Sequence, residues 1–120
     1  MNNTVHPTFT HFFMPFKFAS SPEAQAELKT FNAALYGKLL AEIDGMVSGA
    51  AAAGREWLTG EHFGPVDAYS LTLLRWGGFA GIDPTSFAPY WSHVQKVAAR
   101  PAVARVIERE RLQLNLYKAA

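Results

Sequence analysis

Trp57-Leu58-Thr59-Gly60-Glu61-His62-Phe63-Gly64-Pro65-Val66-Asp67-Ala68-Tyr69-Ser70-Leu71-Thr72-Leu73-Leu74-Arg75-Trp76 begins as a turn and becomes a helix. Gly60 and the Gly64-Pro65 pair interrupt the preceding structure, and Pro65 suits the first helical position, where its missing N–H would have no intrahelical partner. Gly64 is then the N-cap and Asp67 the N3 residue. The Asp67 carboxylate can accept from the cap's N–H and lies at the positive end of the helix dipole. Glycine offers no side-chain oxygen in return, so half a capping box is predicted. The hydrophobic staple is reduced as well, because Phe63 faces only Ala68. From Val66 to Trp76 the apolar residues point all around a helix rather than along one stripe, which predicts a buried helix.

The flanking chain is organised as further helices. Val5, Phe9, Phe12, Phe13 and Phe16 recur at helical spacing, predicting a helix from about Thr4 to Met14 with Thr4 as N-cap and Pro7 in the first turn. Ser20-Ser21-Pro22-Glu23 opens a second helix, with Glu23 three residues after Ser20. Leu28, Phe31, Leu35, Leu39, Ile43, Met46, Val47 and Ala50 then form one apolar stripe on a long helix. Gly45 and Gly49 each cost up to about 1 kcal/mol relative to Ala and are expected to permit close packing. Gly54 is the helix stop. Beyond the central helix, Gly77-Gly78 and Gly81-Ile82-Asp83-Pro84 mark a loop. A fourth helix carries Phe87, Tyr90, Trp91, Val94, Val97 and Ala98 and ends at Arg100, since the residue before Pro101 disfavours helical geometry. Pro101 opens a fifth, with apolar positions at Val103, Val106, Ile107 and Leu114. Alternation of apolar and polar residues occurs only at Leu112–Leu116. The predicted fold is all-α: one domain over residues 1–120, a helical bundle of about five helices with a buried central helix.

One hundred and twenty residues can bury roughly two-thirds of the unfolded chain's surface. Hydrophobic residues make up 49% and charged residues 18%, which excludes a disordered chain and leaves an apolar surface that invites a partner. A formal net charge of +1 without a Lys/Arg run gives no electrostatic footprint for nucleic acid or an anionic membrane. The first residues lack the pattern of a secretory leader, and no stretch of about 18 apolar residues is present. The chain reads as cytoplasmic. Cysteine is absent, which excludes disulfides, thiolate metal sites and a cysteine nucleophile.

Few residues carry a chemical pattern. His6, His11, His62 and His93 do not pair at metal-ligand spacing, so no metal site is expected. Gly77-Gly78-Phe79-Ala80-Gly81 follows no strand and precedes no Lys-Ser/Thr, so it reads as a turn and not a phosphate loop. Ser70 lacks the strand–turn–helix context of a hydrolase nucleophile and reads as a packing residue. Asp67 reads as structural and Arg75 as an ion-pair partner.

The order aromatic-Leu-Thr-Gly, four residues, Val-Asp-Ala-Tyr and Leu-Leu-Arg-Trp resembles the central helix of the C-terminal domain of glutathione S-transferases, closest to the bacterial, beta-like branch. In that family the turn before the helix carries a Ser/Thr-x-x-Asp capping box; Asp67 matches its Asp, and Gly64 replaces its Ser or Thr. Ala98-Ala99-Arg100-Pro101-Ala102-Val103 is similar to the Arg-Pro corner that joins the family's last two core helices. The resemblance runs from about Val5 to Ile107 and covers half of a transferase. It implies a first helix that starts upstream of Met1, and a pocket for a hydrophobic electrophile lined by His6, Phe9, Phe13 and Trp76. Read from the residues alone, these aromatics are ordinary core and His6 is a solvated residue near a helix start.

Family chemistry resides mostly in an N-terminal thioredoxin-like domain that binds glutathione. This sequence contains no βαβ pattern to supply it. The expectation is therefore no catalytic residue and no cofactor in this chain, with glutathione as co-substrate only where a thioredoxin-like domain is present. Expected partners are a second copy in a homodimer formed through the first two helices, a thioredoxin-like domain or other protein, and a hydrophobic small molecule. The alternative is a stand-alone, non-catalytic helical module that binds a protein or ligand.

Overall fold

In the computed structural model, which describes residues 1–119, the elements are α1 (Val5–Phe13), α2 (Pro22–Ala52), α3 (Pro65–Gly77), α4 (Ala88–Ala98) and α5 (Pro101–Arg109). Single 3-10 turns occupy Pro15–Lys17, Gly78–Ala80 and Pro84–Ser86, and no strand occurs among the described residues. The all-α bundle of five helices expected from the periodicity is the observed architecture. Among the described residues, no helix is long and apolar enough to cross a membrane.

Helix ends follow local chemistry, with two corrections. Thr4 precedes α1, but its hydroxyl makes no capping bond. The cap of α2 is Ser21, not Ser20. Its Oγ accepts from the Ala24 N–H at 3.1 Å, which puts Pro22 at the first helical position and Glu23 at the second. At the other end Gly54 adopts φ +76°, the Arg55 N–H reaches the Ala50 carbonyl at 2.8 Å and the Gly54 N–H reaches the Ala51 carbonyl at 3.0 Å. This Schellman pair stops α2 where glycine can turn left-handed. The start of α4 is capped from a distance: Phe87 contributes no side-chain cap, and Asp44 on α2 accepts from the Tyr90 N–H at 2.9 Å.

The buried face of α2 is Asn32, Tyr36, Leu39, Leu40, Ile43, Val47 and Ala50. Phe31 and Met46, assigned to the stripe by hydrophobicity, are instead 65% and 53% exposed. Two polar tips explain the rotated face. The Tyr36 hydroxyl donates to the Leu73 carbonyl at 2.5 Å, and the Asn32 amide donates to the Leu28 carbonyl at 2.8 Å, so both side chains can enter the core satisfied. The close packing expected at Gly45 and Gly49 is not found. A methyl group at either position would meet nothing within 4 Å.

The central helix α3 buries Asp67, Ser70, Leu71, Leu73, Leu74 and Gly77. It is not buried all round, as its composition suggested. Ala68, Tyr69, Thr72 and Trp76 are half-buried, and Val66 is exposed. Tyr90 of α4 donates its hydroxyl to the Ser70 carbonyl at 2.5 Å, and the Ser70 hydroxyl donates to the Asp67 carbonyl at 2.6 Å. Beyond the end of α3 the C-terminal segment returns across Gly78, where a Cβ would fall 2.6 Å from Leu116 Cβ and 2.7 Å from its carbonyl carbon. Arg75 secures this strap, its Nε donating to the Gln113 carbonyl at 2.8 Å. Among the described residues it has no carboxylate within ion-pair distance, so it is here a tether to backbone and not the expected ion-pair partner. The alternating Leu112–Leu116 segment is irregular, bends at Leu114 and joins no sheet among the described residues. Helix α5 buries none of its residues, and Val103 and Leu114 pack against the core from its edge.

Gly45→Ala and Gly49→Ala should each stabilise the fold by about 0.5–1 kcal/mol, because both positions are helical, exposed and sterically open. Urea unfolding with an unchanged slope and a higher midpoint is the expected result.

Candidate functional site

Helices α1 and α3 meet along aromatic side chains. His6, in the first turn of α1, forms a hydrogen bond between Nδ1 and the Tyr69 hydroxyl and stands edge-on to the Trp76 ring at 5.0 Å. The Tyr69 hydroxyl also lies 3.5 Å from Asn2 Oδ1. Between these elements is an open cleft of about 460 Å3 lined by Asn2, His6, Ala68, Tyr69, Thr72 and Trp76. With Nδ1 engaged, Nε2 is the ring nitrogen left to meet a ligand. An indole wall with an imidazole, a phenol, a hydroxyl and an amide around it can hold a flat apolar molecule and orient a polar substituent on it.

Of the four pocket residues named from the sequence, the structure brings His6 and Trp76 into this cleft. Phe9 is buried behind the indole, stacked on Trp76 at 5.0 Å with the planes 18° apart. Phe13 stacks on Phe9 at 5.5 Å and contacts Phe79 at 5.7 Å. These two phenyl rings support the Trp76 wall from behind rather than line it. Tyr69, Thr72 and Asn2 were not foreseen. Tyr69, Thr72 and Trp76 share one face of α3 at spacings of three and four, a signal present in the sequence once that face is known to be open. Nothing local marks Asn2.

The cap residues organise the loop before α3. Gly64 has extended dihedrals, φ −134° and ψ 172°, and donates its N–H to Asp67 Oδ2 at 2.9 Å. Asp67 Oδ1 accepts from the Leu58 N–H, also at 2.9 Å. One fully buried carboxylate therefore ties both ends of the loop to the helix start. Removing it would orphan two backbone donors, at about 1–3 kcal/mol for each one left buried. Inside the loop Trp57 and Gly60 exchange backbone bonds of 2.9 and 3.3 Å, with Gly60 at φ +148°. Phe63 packs edge-on against Trp57 at 5.2 Å.

A third neighbour of Asp67 is His93 of α4, whose Nε2 lies 3.1 Å from Oδ1 without the alignment of a hydrogen bond. Burial pushes the His93 pKa down; the Asp67 charge opposes this, and the Lys96 charge adds to it. Among the described residues, no group of three or more His, Cys, Asp or Glu side chains is placed to hold a metal ion.

The five-helix all-α architecture with its capped central helix agrees with the fold class that the resemblance read from the sequence implies. The chain is similar to Glutathione S-transferase GST-4.5 of Xanthomonas campestris pv. campestris, with 27% identity over 120 aligned positions that take in 93% of this chain and 52% of that protein. It thus spans about half the length of the curated relative it matches, in agreement with the resemblance read from the central helix. No family model matches the chain, and no solved structure matches it.

The His93 shift has a definite sign in stability. A folded pKa below the unfolded value of about 6.5 means that the unfolded chain takes up the proton first. The contribution is complete above that value and is lost as pH falls through the folded pKa. Urea midpoints of the parent chain should therefore fall below pH 6.5 more steeply than those of His93→Gln. Parallel curves would remove His93 from the acid sensitivity of this fold.

Proposed function

We propose that this chain is the helical half of a glutathione S-transferase-like protein and forms the wall of a pocket for a hydrophobic electrophile. The observation that carries the reading is the cleft in which His6, Tyr69 and Trp76 converge, in a chain similar to half of a named glutathione S-transferase. The electrophile would lie against the Trp76 indole, with His6 Nε2 and the Thr72 hydroxyl facing its polar substituent. Glutathione would come from a thioredoxin-like domain set beside the cleft. Lowering the pKa of a bound thiol needs positioned donors or positive charge. His6 acting alone is a modest general acid–base group.

On this reading the 120-residue chain neither binds glutathione at millimolar concentration nor accelerates its conjugation to an aromatic electrophile. Calorimetric titration and a conjugation assay test this. Binding heat together with turnover that His6→Ala abolishes would overturn it.

A second reading, an association module without catalysis, is favoured by one observation. Phe13, Phe16, Phe18 and Phe31 are all at least half exposed, on α1, the turn after it and the first part of α2. Apolar area of this kind on a small domain usually meets another surface. Its occupant on this reading is a second copy, in a cytoplasmic homodimer through the first two helices. Sedimentation at tens of micromolar should give a dimer that Phe31→Lys returns to monomer. A monomer throughout, without dye binding to exposed apolar surface, removes the second reading.

A further inference from the structure

An open groove of about 580 Å3 between the segment after α1 and the start of α2 has an apolar floor and an acidic edge. Phe18, Ala24, Leu28 and Phe31 line the floor, and Phe18 and Phe31 are at least half exposed. Glu27 is the one charged side chain in the lining. Glu23 lies one helical turn before it and is also exposed, so two carboxylates share this edge of α2. Lys29 does not neutralise them, because its Nζ stands 5.3 Å from the centre of the Phe12 ring.

Helix α5 presents the complement. It buries none of its residues, yet both its ends are fixed. Pro101 occupies its first position, and a Schellman pair closes it, with the Leu112 N–H on the Ile107 carbonyl at 2.9 Å and the Arg111 N–H on the Glu108 carbonyl at 3.2 Å. Ala102, Arg105, Val106 and Arg109 recur at spacings of three and four and share one face, on which Val106 is 53% exposed. Glu108 at the edge of this face offsets only one of the two arginines. Among the described residues the pair within ion-pair distance is His93 with Asp67, so Glu23, Glu27, Arg105 and Arg109 are all unmatched. They do not meet within one copy. The start of α2 packs on the turn Pro15–Lys17, whereas α5 packs on α4, which Asp44 holds about 30 Å along α2 from Glu23.

We infer that α5 of one copy of this chain seats in the α2 groove of another, with Ala102 and Val106 on Leu28 and Phe31 and with Arg105 and Arg109 meeting Glu27 and Glu23. Both charge pairs form at once because the arginines and the carboxylates each repeat at one helical turn. The inference rests on the second reading in taking the exposed phenyl patch as an interface between copies, and it pairs that patch with α5 rather than with its own equivalent. A patch-on-patch contact would bring the carboxylates of two copies together and leave the arginines unused. Two copies that exchange α5 reciprocally close a dimer.

Sedimentation of the 120-residue chain and of two charge reversals, Arg105→Glu/Arg109→Glu and Glu23→Lys/Glu27→Lys, is the test. Each variant alone should associate about tenfold more weakly than the parent or worse, because like charges then face each other. An equimolar mixture of the two should associate again, since the basic α5 of one copy fits the acidic groove of the other. Association of the parent should weaken as salt rises from about 0.05 M to about 0.5 M. All four side chains are exposed, so each variant should keep the parent's helical circular dichroism, and recovery on mixing requires folded copies. A parent dimer that neither reversal weakens, or variants that stay apart when mixed, overturns this inference and leaves the second reading standing. Weakening by the glutamate reversal alone assigns the groove another occupant and also overturns it. A monomeric parent at tens of micromolar overturns both.

Discussion

Two buried tyrosine hydroxyls hold the central helix in place. Tyr36 from α2 donates to the Leu73 carbonyl and Tyr90 from α4 donates to the Ser70 carbonyl, each at 2.5 Å. Both side chains have no solvent exposure. A helical carbonyl already accepts one bond along its own helix and has a second lone pair to give, so the bonds cost α3 nothing internally. They do satisfy two phenols that would otherwise be buried unpaired. Burial raises both phenol pKa values well above the usual tyrosine range, so the hydroxyls remain donors throughout the physiological range. Alignment of three helices is fixed by directed contacts as well as by area.

The position of α3 decides what the rest of the molecule can present. With its Leu73 and Leu74 side turned into the core, the face with Tyr69, Thr72 and Trp76 is left toward α1. There the Trp76 indole continues a series of rings, stacked through Phe9 to Phe13 and tilted from Phe13 to Phe79, with successive centroids between 5.0 and 5.7 Å apart. Phe9, which stacks directly on the indole, is buried and has few rotatable bonds, so it gives the indole a fixed backing. The cleft wall is therefore supported from behind. His6 is supported from the side by its bond to Tyr69.

Asp67 performs the matching task at the other end of α3. Its two oxygens collect the backbone N–H groups of Leu58 and Gly64, six residues apart in the chain, and His93 of α4 closes over the same carboxylate. The cap of a single helix thereby fixes the loop that carries Trp57. Trp57 in turn meets Phe63, His93 and Lys96. The Gly64-Pro65-Val66-Asp67 spacing revealed the first of these bonds, because capping is a local matter of who lies three residues away. The bond to Leu58 and the contact with His93 span nine residues or more and leave no local signature.

Helix number, helix ends and the all-α class were legible because periodicity, Pro and Gly placement and capping act within four or five residues. Helix α2 shows where that reading stops. Hydrophobicity placed Phe31 and Met46 inward, whereas the fold buries Asn32 and Tyr36, since polar groups that find acceptors on their own helix or on α3 can be interior. The central helix failed in the same way: apolar residues on every side do not say which side meets a neighbour. His6 and Trp76 were recognised through resemblance, while Tyr69 and Asn2 joined them only when α1 crossed α3. The sequence by itself determined the helices, the glycine stop of α2, the Asp67 cap of α3 and the family they resemble, because those rest on short-range chemistry. Only the tertiary structure decided which faces are buried and which open into a cleft, because that depends on partners supplied by distant parts of the chain.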